Sequence, residues 1–402
     1  PGLSGTESIN LINENYPLIP IIMISQNSDN ETIENAIGLR VNDYLIKPLN
    51  PNQILLSLTK IFRNKELVTN TVISNYQNNY QEINDKINYC NSYEDWIELY
   101  KILVYWELQL GDIQEKEVLE ILYSQKKQAN KLFADFVEIN YQKLLEKKDF
   151  LSSINIFRNK ILPEINSATP TLMILIDNLR YDQWKSIEPN VIENCKISTD
   201  ILYSSILPTT TQYARNSIFS GLSPLELKKI HDNYWISEID EGGKNKHEDE
   251  LLKNQLLRIG SKIKYKYYKV SNSKEGNLFY DRLNNEKSND LTVLVYNFVD
   301  MMSHAKKDVK FIKELAPTDQ AYRELTKSWY KNSKLNDIIK KGKDLGFKII
   351  ITSDHGTINV DKPALISGDK EISNNLRYKT ARQVHSKKKE VINLDNPSNY
   401  LL

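Results

Sequence analysis

The segment Thr171-Leu172-Met173-Ile174-Leu175-Ile176-Asp177 contains six consecutive uncharged residues followed by a carboxylate. A short apolar run of this kind is typical of a parallel strand that is buried on both faces. Two later stretches repeat the pattern: Leu291–Val299 runs into Asp300, and Phe347–Thr352 runs into Ser353-Asp354-His355-Gly356. Because ligands of open α/β sheets bind at the carboxyl ends of the strands, these acidic residues mark a candidate site.

The first sixty residues have an α/β rhythm of their own. Leu18–Ser25 predicts a buried strand, and a helix of about ten residues should follow and break near Gly38. Tyr44-Leu45-Ile46 predicts a second strand, after which Lys47-Pro48 turns the chain into a helix that we expect to run to about Phe62. This β-α-β-α order is typical of a parallel sheet.

Between about residues 65 and 160, apolar and aromatic side chains recur three and four positions apart. Examples are Trp96, Leu99, Tyr100, Leu103 and Trp106. The spacing predicts amphipathic helices packed as a bundle, and core packing is favoured over base stacking for the aromatic stripe. We therefore expect an α/β segment at 1–63, a helical bundle at 64–161 and a second α/β domain at 162–402.

The composition excludes several classes of protein. Lys and Arg total 53 against 52 Asp and Glu, so no charge excess points to DNA, an anionic membrane or an acidic partner. Two cysteines provide neither a disulfide framework nor a cysteine zinc site. The apolar runs are shorter than the roughly 20 residues of a membrane span. We expect a soluble cytoplasmic chain, and a start at Pro1 without Met leads us to expect that both ends are cut.

Two of the strand ends carry histidine as well as aspartate. Asp300 and His304 are four residues apart, which places them on one face of a helical turn, and oxygen plus nitrogen ligands suit zinc. Asp354 and His355 can share a metal only if the backbone turns after the strand, as Gly356 permits. Each residue alone is better explained as a helix cap or a surface histidine, but their combination favours a metal site.

A run of threonines supplies candidate nucleophiles. Thr209, Thr210 and Thr211 follow Pro208 at the expected start of a helix, where a threonine also has an ordinary role as a cap. Helix N-termini bind anions, and a hydroxyl there becomes nucleophilic when a metal ion lowers its pKa. Arg215, one turn later, is expected either to contact substrate oxygens or a base, or to form a surface salt bridge.

The ordered set of motifs resembles the alkaline phosphatase superfamily. It consists of Asp177, the threonine-rich turn that ends in Ser220-Gly221, the Asp300-x3-His304 pair and Ser353–Gly356. Within that superfamily, Ile176–Trp184 and Leu207–Gly221 look like the PglZ branch, over about residues 162–402. The resemblance implies an alkaline-phosphatase-like α/β domain.

That resemblance also implies roles for the candidate residues. It implies Asp300 and His304 as ligands of one zinc ion, and Asp177, Asp354 and His355 as ligands of a second. Aligned on the downstream Ser-Gly pair, Thr211 is the nucleophile, with Thr209 in reserve. His385 lies in a basic loop and is no match for the remaining ligand, so we expect one zinc to bind well and the other poorly.

The front segment resembles the second half of a two-component receiver domain. The resemblance makes Ser25 the small hydroxyl residue that ends a strand, Tyr44 the switch aromatic and Lys47 part of a Lys-Pro pair that usually has a cis bond. The phospho-accepting Asp is expected to precede Pro1, so this chain should not be phosphorylated there. A complete receiver would bind Mg²⁺.

A receiver joined through helices to a PglZ domain is similar to the PorX-type response regulators of type IX secretion. That resemblance implies a zinc-dependent phosphodiesterase for oligonucleotides or cyclic nucleotides, because a Thr nucleophile favours diesters and cannot form the aldehyde of a sulfatase. It implies a sensor histidine kinase, dimerisation on phosphorylation, and a sigma factor or secretion component as partners. The alternative is a non-enzymatic signalling protein with structural zinc. A DNA-binding effector has little support, since no helix-turn-helix or basic stripe is present.

Overall fold

The computed structural model describes most of the chain. The described residues are 2, 4–16, 19–26, 29–113, 115–236, 243–302, 314, 316–360, 364–368, 378–379, 384–385 and 391. The chain divides into two units, Pro1–Ala129 and Asn130–Leu402. Among the helices of the described part, none combines the length and hydrophobicity needed to cross a membrane.

The first unit begins with a helix that was not predicted, and the predicted order of strand, helix and strand follows it. Its elements are α1 (Gly5–Asn15), β1 (Ile22–Ser25), α2 (Asn30–Gly38) and β2 (Asp43–Ile46). The strands β1 and β2 pair in parallel, which confirms the expected sheet type. The Lys47–Pro48 bond that follows β2 is cis, as the receiver resemblance implies.

Long helices form the rest of the first unit and lead into the second. They are α3 (Pro51–Tyr89), α4 (Tyr93–Ile113) and α5 (Lys116–Glu146), and the boundary between the units falls within α5. The prediction that α3 ends near Phe62 is wrong, because no Gly or Pro interrupts residues 63–89. A buried hydrogen bond of 2.8 Å from Tyr76 Oη to Gln125 Oε1 joins α3 to α5.

The aromatic stripe of the bundle serves packing. Trp96, Leu99, Leu103 and Trp106 are buried, whereas Tyr100 is exposed. The ring of Trp106 packs edge to face against Tyr76, with 5.3 Å between the ring centroids. The prediction of core packing over base stacking is therefore confirmed for the four buried side chains.

The second unit is built on a four-stranded parallel sheet. Its spatial order is β4 (Tyr265–Val270), β5 (Leu291–Tyr296), β3 (Thr171–Ile176) and β6 (Lys348–Thr352). Every residue of β3 and β5 is buried, which explains their continuous apolar sequences. Since β5 and β6 flank β3, the carboxyl ends of these three strands meet at one edge of the sheet.

Helices cover both faces of this sheet. Helices of the second unit include α6 (Tyr181–Ile192), α7 (Thr211–Ser220), α8 (Pro224–Ile230), α9 (Glu248–Arg258), α10 (Ser273–Arg282), α11 (Asp319–Asn332) and α12 (Lys334–Asp344). Shorter elements are a π-helix at Phe157–Ile161, 3₁₀ helices at Leu162–Glu164, Asp232–Tyr234 and Leu283–Ser288, and the antiparallel pair β7 (Ser367–Gly368) and β8 (Val384–His385).

Alternate residues of β3 enter separate cores. Leu172, Ile174 and Ile176 pack with α6, α10, α11 and α12, whereas Met173 and Leu175 pack with α7, α8 and α9. This alternation follows from the twofold side-chain period of a strand. The carboxyl end of β3 therefore lies between two layers of helices, and Asp177, the next residue, is buried there.

The predicted strand from Leu291 to Val299 is too long. It ends at Tyr296, and residues 298–302 are helical. The backbone N–H of Met301 donates to the carbonyl of Asn297 at 3.1 Å, which starts the helix directly after the strand. Asp300 therefore lies within a helical turn rather than immediately at the end of a strand.

Gly221 ends α7 in the left-handed region, with φ of 62°. A Cβ there lies 2.6 Å from Gln255 Oε1, so Gly221→Ala adds a close contact to the cost of the backbone conformation. We expect this change to lower the free energy of unfolding by at least about 1–3 kcal/mol, as measured by denaturant titration.

Gly260→Ala is the matched control for that prediction. Gly260 has φ of 69°, but no atom lies within 4 Å of its ideal Cβ, so this change tests the backbone cost alone. If both variants lose the same free energy of unfolding, the Gln255 side chain moves away from the new Cβ with no loss of stability.

Candidate functional site

Two strand ends bring three buried side chains together. Asp177 directly follows β3, whereas Asp354 and His355 follow the adjacent strand β6. One ligand atom of each residue lies within 4.8 Å of the other two. The Nε2 atom of His355 is 3.6 Å from Asp177 Oδ1 and 3.9 Å from Asp354 Oδ2. This metal-ligand cluster has the oxygen and nitrogen donors that a divalent cation such as zinc prefers.

The carboxylate of Asp354 is fixed through one of its oxygens. Its Oδ1 accepts hydrogen bonds from the backbone N–H groups of Asn178, at 3.1 Å, and His355, at 2.9 Å. Its buried Oδ2 accepts a hydrogen bond from no donor in the described part of the chain. Because a buried carboxylate oxygen without a partner is costly, this oxygen is a fitting ligand for a cation.

The imidazole of His355 is oriented by its own loop. Nδ1 lies 3.3 Å from the carbonyl oxygen of Gly356, a contact that favours the tautomer with the proton on Nδ1 and the lone pair of Nε2 facing the cluster. The Cγ atom of Arg180 lies 3.0 Å from the ideal Cβ position of Gly356. We expected Gly356 for its backbone freedom, and the close approach of Arg180 also makes a side chain at this position a tight fit.

The hydroxyl of Thr211 faces the metal-ligand cluster. Thr211 is the first residue of α7, and its Oγ1 lies 2.9 Å from His355 Nε2 and 3.3 Å from Asp177 Oδ1. Thr210 takes the cap position and makes no side-chain capping bond. Thr209, the reserve candidate, precedes the helix. The contacts of Thr211 with two cluster members fit the role of nucleophile that the superfamily resemblance implies.

The first predicted zinc pair is only partly described. Asp300 Oδ1 accepts a hydrogen bond of 3.3 Å from the side-chain amide of Asn178, and His304 lies outside the described residues. Asn178 has a left-handed backbone, with φ of 63°, so its backbone N–H reaches Asp354 while its side chain reaches Asp300. One residue thus links the two predicted sets of ligands.

Arg215 is buried instead of lying on the surface. Its Nη1 atom donates to Asp177 Oδ2 at 2.8 Å and to Asn297 Oδ1 at 3.2 Å, and its Nε donates to Glu248. The alternative of a surface salt bridge is therefore wrong, because the guanidinium is only 2% exposed. Its predicted contact with substrate oxygens stays a prediction.

The pKa of Asp177 is raised to about 7, chiefly because its carboxyl group is buried and secondly because of the charge of Asp354. Arg215 and His355 act in the opposite direction. In the metal-free chain, the folded state therefore holds a proton on Asp177 at pH values where the unfolded state has lost it. We expect this group to make the metal-free fold less stable as pH rises from about 4 to about 7, by at most about 1.4 kcal/mol per pH unit.

Denaturant unfolding of the metal-free wild type and of Asp177→Asn, at several pH values, measures this effect. As pH rises, the free energy of unfolding of the wild type should fall relative to that of Asp177→Asn. A difference that is constant from pH 4 to pH 8 contradicts the raised pKa.

Two of the three predicted receiver residues, Ser25 and Lys47, lie at one end of the first sheet. Ser25 ends β1, and its carbonyl accepts a hydrogen bond of 2.8 Å from the backbone N–H of Lys47, just after β2. Tyr44 is a residue of β2 and pairs with Met23. The structure therefore brings Ser25 and Lys47 together at the carboxyl ends of the two strands, as expected for a receiver.

Comparison with known protein families agrees with this geometry. Residues 156–399 match the BREX system PglZ alkaline phosphatase-like domain. This chain belongs to the PglZ family. Ahead of the PglZ domain, residues 66–145 match the PorX response regulator linker domain, and residues 1–59 match the response regulator receiver domain. The order of the three matches confirms the resemblance to PorX-type regulators with a receiver and a PglZ domain.

Two curated relatives match a short stretch of the chain. They are proteins named as NtrX-like response regulators of Rickettsia conorii and Rickettsia typhi, each 36% identical over 58 residues. The matched stretch covers 14% of this chain and 12% of each relative. These relatives support the classification as a response regulator.

Some residues of the site carried no clear signal in the sequence. Asn297 directly follows β5 and Asn178 is the second residue after β3, so their positions alone could have marked them. Glu248 is the first residue of α9, whereas Tyr267 and Lys269 lie in β4. The spacing of these three residues along the sequence does not indicate that they lie near Asp177. The structure joins all of them to the site through Arg215 or Asp354.

Proposed function

We propose that this chain is a response regulator whose PglZ domain is a zinc-dependent phosphodiesterase for oligonucleotides or cyclic nucleotides. The observation that carries the proposal is the contact of the Thr211 hydroxyl with His355 Nε2, at 2.9 Å, beside a buried cluster of cation ligands. A hydroxyl next to such ligands at the N-terminus of a helix is suited to attack a phosphorus atom.

Asp177, Asp354 and His355 would hold the zinc ion, because they supply two carboxylates, one imidazole and a buried oxygen without a hydrogen-bond donor among the described residues. Bound zinc would supply a Lewis acid that lowers the pKa of a nearby hydroxyl and attracts phosphate oxygens. Asp300 and His304 remain the proposed ligands of a second zinc ion.

The chain's own residues fix the nucleophile. The Thr211 hydroxyl lies 2.9 Å from His355 Nε2 and 3.3 Å from Asp177 Oδ1 at the first turn of α7, where the helix dipole favours an anionic substrate. In the proposed reaction, Thr211 Oγ1 bonds to phosphorus as the bond from phosphorus to one ester oxygen breaks, and the hydroxyl proton ends on the departing alcohol. Water then breaks the bond between threonine and phosphorus and restores the hydroxyl.

The regulatory part of the proposal follows from the receiver. A receiver implies a sensor histidine kinase as the partner that phosphorylates the complete protein, with Mg²⁺ bound at the phosphorylation site. We further propose that phosphorylation promotes a homodimer, that the protein acts in the cytoplasm on type IX secretion, and that its protein partner is a sigma factor or a secretion component.

Hydrolysis assays test the enzymatic proposal. The zinc-loaded chain should hydrolyse bis(p-nitrophenyl) phosphate faster than p-nitrophenyl phosphate, and the metal-free chain should hydrolyse neither. Oligonucleotides and cyclic dinucleotides then test the substrate class. A chain with stoichiometric zinc that hydrolyses no phosphodiester would instead support the non-enzymatic signalling protein.

A further inference from the structure

A buried network of charges lies behind the metal-ligand cluster. Arg215 is 2% exposed, and its guanidinium contacts two carboxylates, that of Asp177 on the cluster side and that of Glu248 on the opposite side. Arginine remains protonated in proteins, so this guanidinium is a permanent positive charge. A positive charge therefore already lies beside residues that fit a cation.

The guanidinium also approaches the second carboxylate of the cluster. Its Nη1 atom is 2.8 Å from Asp177 Oδ2 and 4.0 Å from Asp354 Oδ2, the buried oxygen that no described donor contacts. In the metal-free chain, this guanidinium thus lies beside both carboxyl groups of the cluster as well as that of Glu248. Without it, these carboxylates would bear the full cost of burial.

Glu248 keeps the guanidinium in this position. The Glu248 carboxylate accepts hydrogen bonds from Arg215 Nε and Tyr267 Oη, and Lys269 Nζ lies 3.3 Å from its Oε2. Both Glu248 and Arg215 are nearly fully buried. Because Glu248 also binds Tyr267 and Lys269 of β4, its contact with Arg215 keeps the guanidinium beside Asp177.

We propose that Arg215, held by Glu248, is a built-in counter-cation of the metal-ligand cluster that stabilises the metal-free chain and weakens its affinity for a divalent cation. The inference rests on the metal site of the proposed function. Repulsion between a fixed guanidinium and a dication in a buried site lowers affinity, because the interior screens charge less than water does. Because the affinity is lowered, the fraction of chains that hold a metal ion would change with the concentration of that ion.

Removal of the buried pair tests the proposal. The double variant Arg215→Met and Glu248→Gln removes one charge of each sign, which limits the damage to the fold. We expect a lower melting temperature without metal, and zinc affinity about tenfold or more tighter than that of the wild type. Competition with a chromophoric zinc chelator measures the affinity. Arg215→Lys, which keeps the positive charge, should retain wild-type affinity to within about threefold.

Arg323→Met is the control for general loss of stability. Arg323 is also buried and pairs with Asp182 at 3.1 Å, but it contacts no member of the cluster among the described contacts. This variant should melt at a lower temperature and bind zinc like the wild type. If the double variant does not fold, Arg215→Gln tests the loss of the positive charge alone, with an amide beside Asp177 and the Glu248 carboxylate still paired with Lys269.

The outcomes separate this proposal from the proposed function. Tighter zinc binding after removal of the charge supports the counter-cation. Unchanged or weaker binding, together with a lower melting temperature, overturns it and makes Arg215 a structural residue only. A wild type that binds no zinc overturns the metal site itself, and the proposal fails with it.

Discussion

Thr211→Ala is expected to lower the rate of phosphodiester hydrolysis by about 10³-fold or more while the amount of bound zinc stays unchanged. The hydroxyl of Thr211 lies 2.9 Å from His355 Nε2, and alanine has no oxygen with which to attack phosphorus. Turnover of bis(p-nitrophenyl) phosphate at saturating zinc measures the rate, and elemental analysis of the same sample measures the metal.

Two further variants make this expectation specific. Thr211→Ser keeps a hydroxyl at the same position and should retain activity to within about tenfold of the wild type. Thr209→Ala removes the reserve candidate and should leave hydrolysis nearly unchanged. If Thr209→Ala abolishes hydrolysis and Thr211→Ala does not, the nucleophile is Thr209.

Asp354→Asn is expected to weaken zinc binding by about a hundredfold or more, and to remove hydrolysis with it, although the metal-free fold becomes more stable. Asparagine keeps an oxygen to accept the hydrogen bonds from the backbone of Asn178 and His355. Burial raises the pKa of Asp354, which shows that its charge is unfavourable in the metal-free fold. Thermal unfolding without metal and zinc titration measure the two opposite effects.

Asp182→Asn is the matched control, because Asp182 is another buried carboxylate of the same domain. Burial opposes its charge, but Arg180 and Arg323 pair with it and hold its pKa below the usual value. This variant should destabilise the fold and leave zinc binding unchanged. A loss of stability in Asp354→Asn as large as that in Asp182→Asn would contradict the account of Asp354.

The strands of the second unit were predictable because local chemistry determines them. The apolar run at residues 171–176 is buried throughout, and it becomes a strand with those same bounds. The end of β5 was not predictable from hydrophobicity. Phe298 and Val299 continue its apolar run but belong to a helix. The helix α3 likewise extends past Phe62, because the sequence contains nothing that stops it before Tyr89.

The candidate site was partly predictable for a geometric reason. Asp177, Asp354 and His355 follow parallel strands, and the carboxyl ends of adjacent parallel strands always lie at one edge of the sheet. The burial of Arg215 was not predictable, because it depends on the packing of α7 against α9 and on Glu248, which is distant in sequence. Such contacts have no period or spacing that a single sequence reveals.

Identification of the covalent intermediate tests the central claim most directly. The zinc-loaded chain is mixed with bis(p-nitrophenyl) phosphate, quenched in acid during turnover, and analysed by peptide mass spectrometry. We predict a p-nitrophenyl phosphate ester on Thr211, absent from Thr211→Ala and from the metal-free chain. Turnover that persists in Thr211→Ala, or an adduct on a different residue of the wild type, would contradict the assignment of Thr211 and the cluster beside it as a phosphodiesterase site.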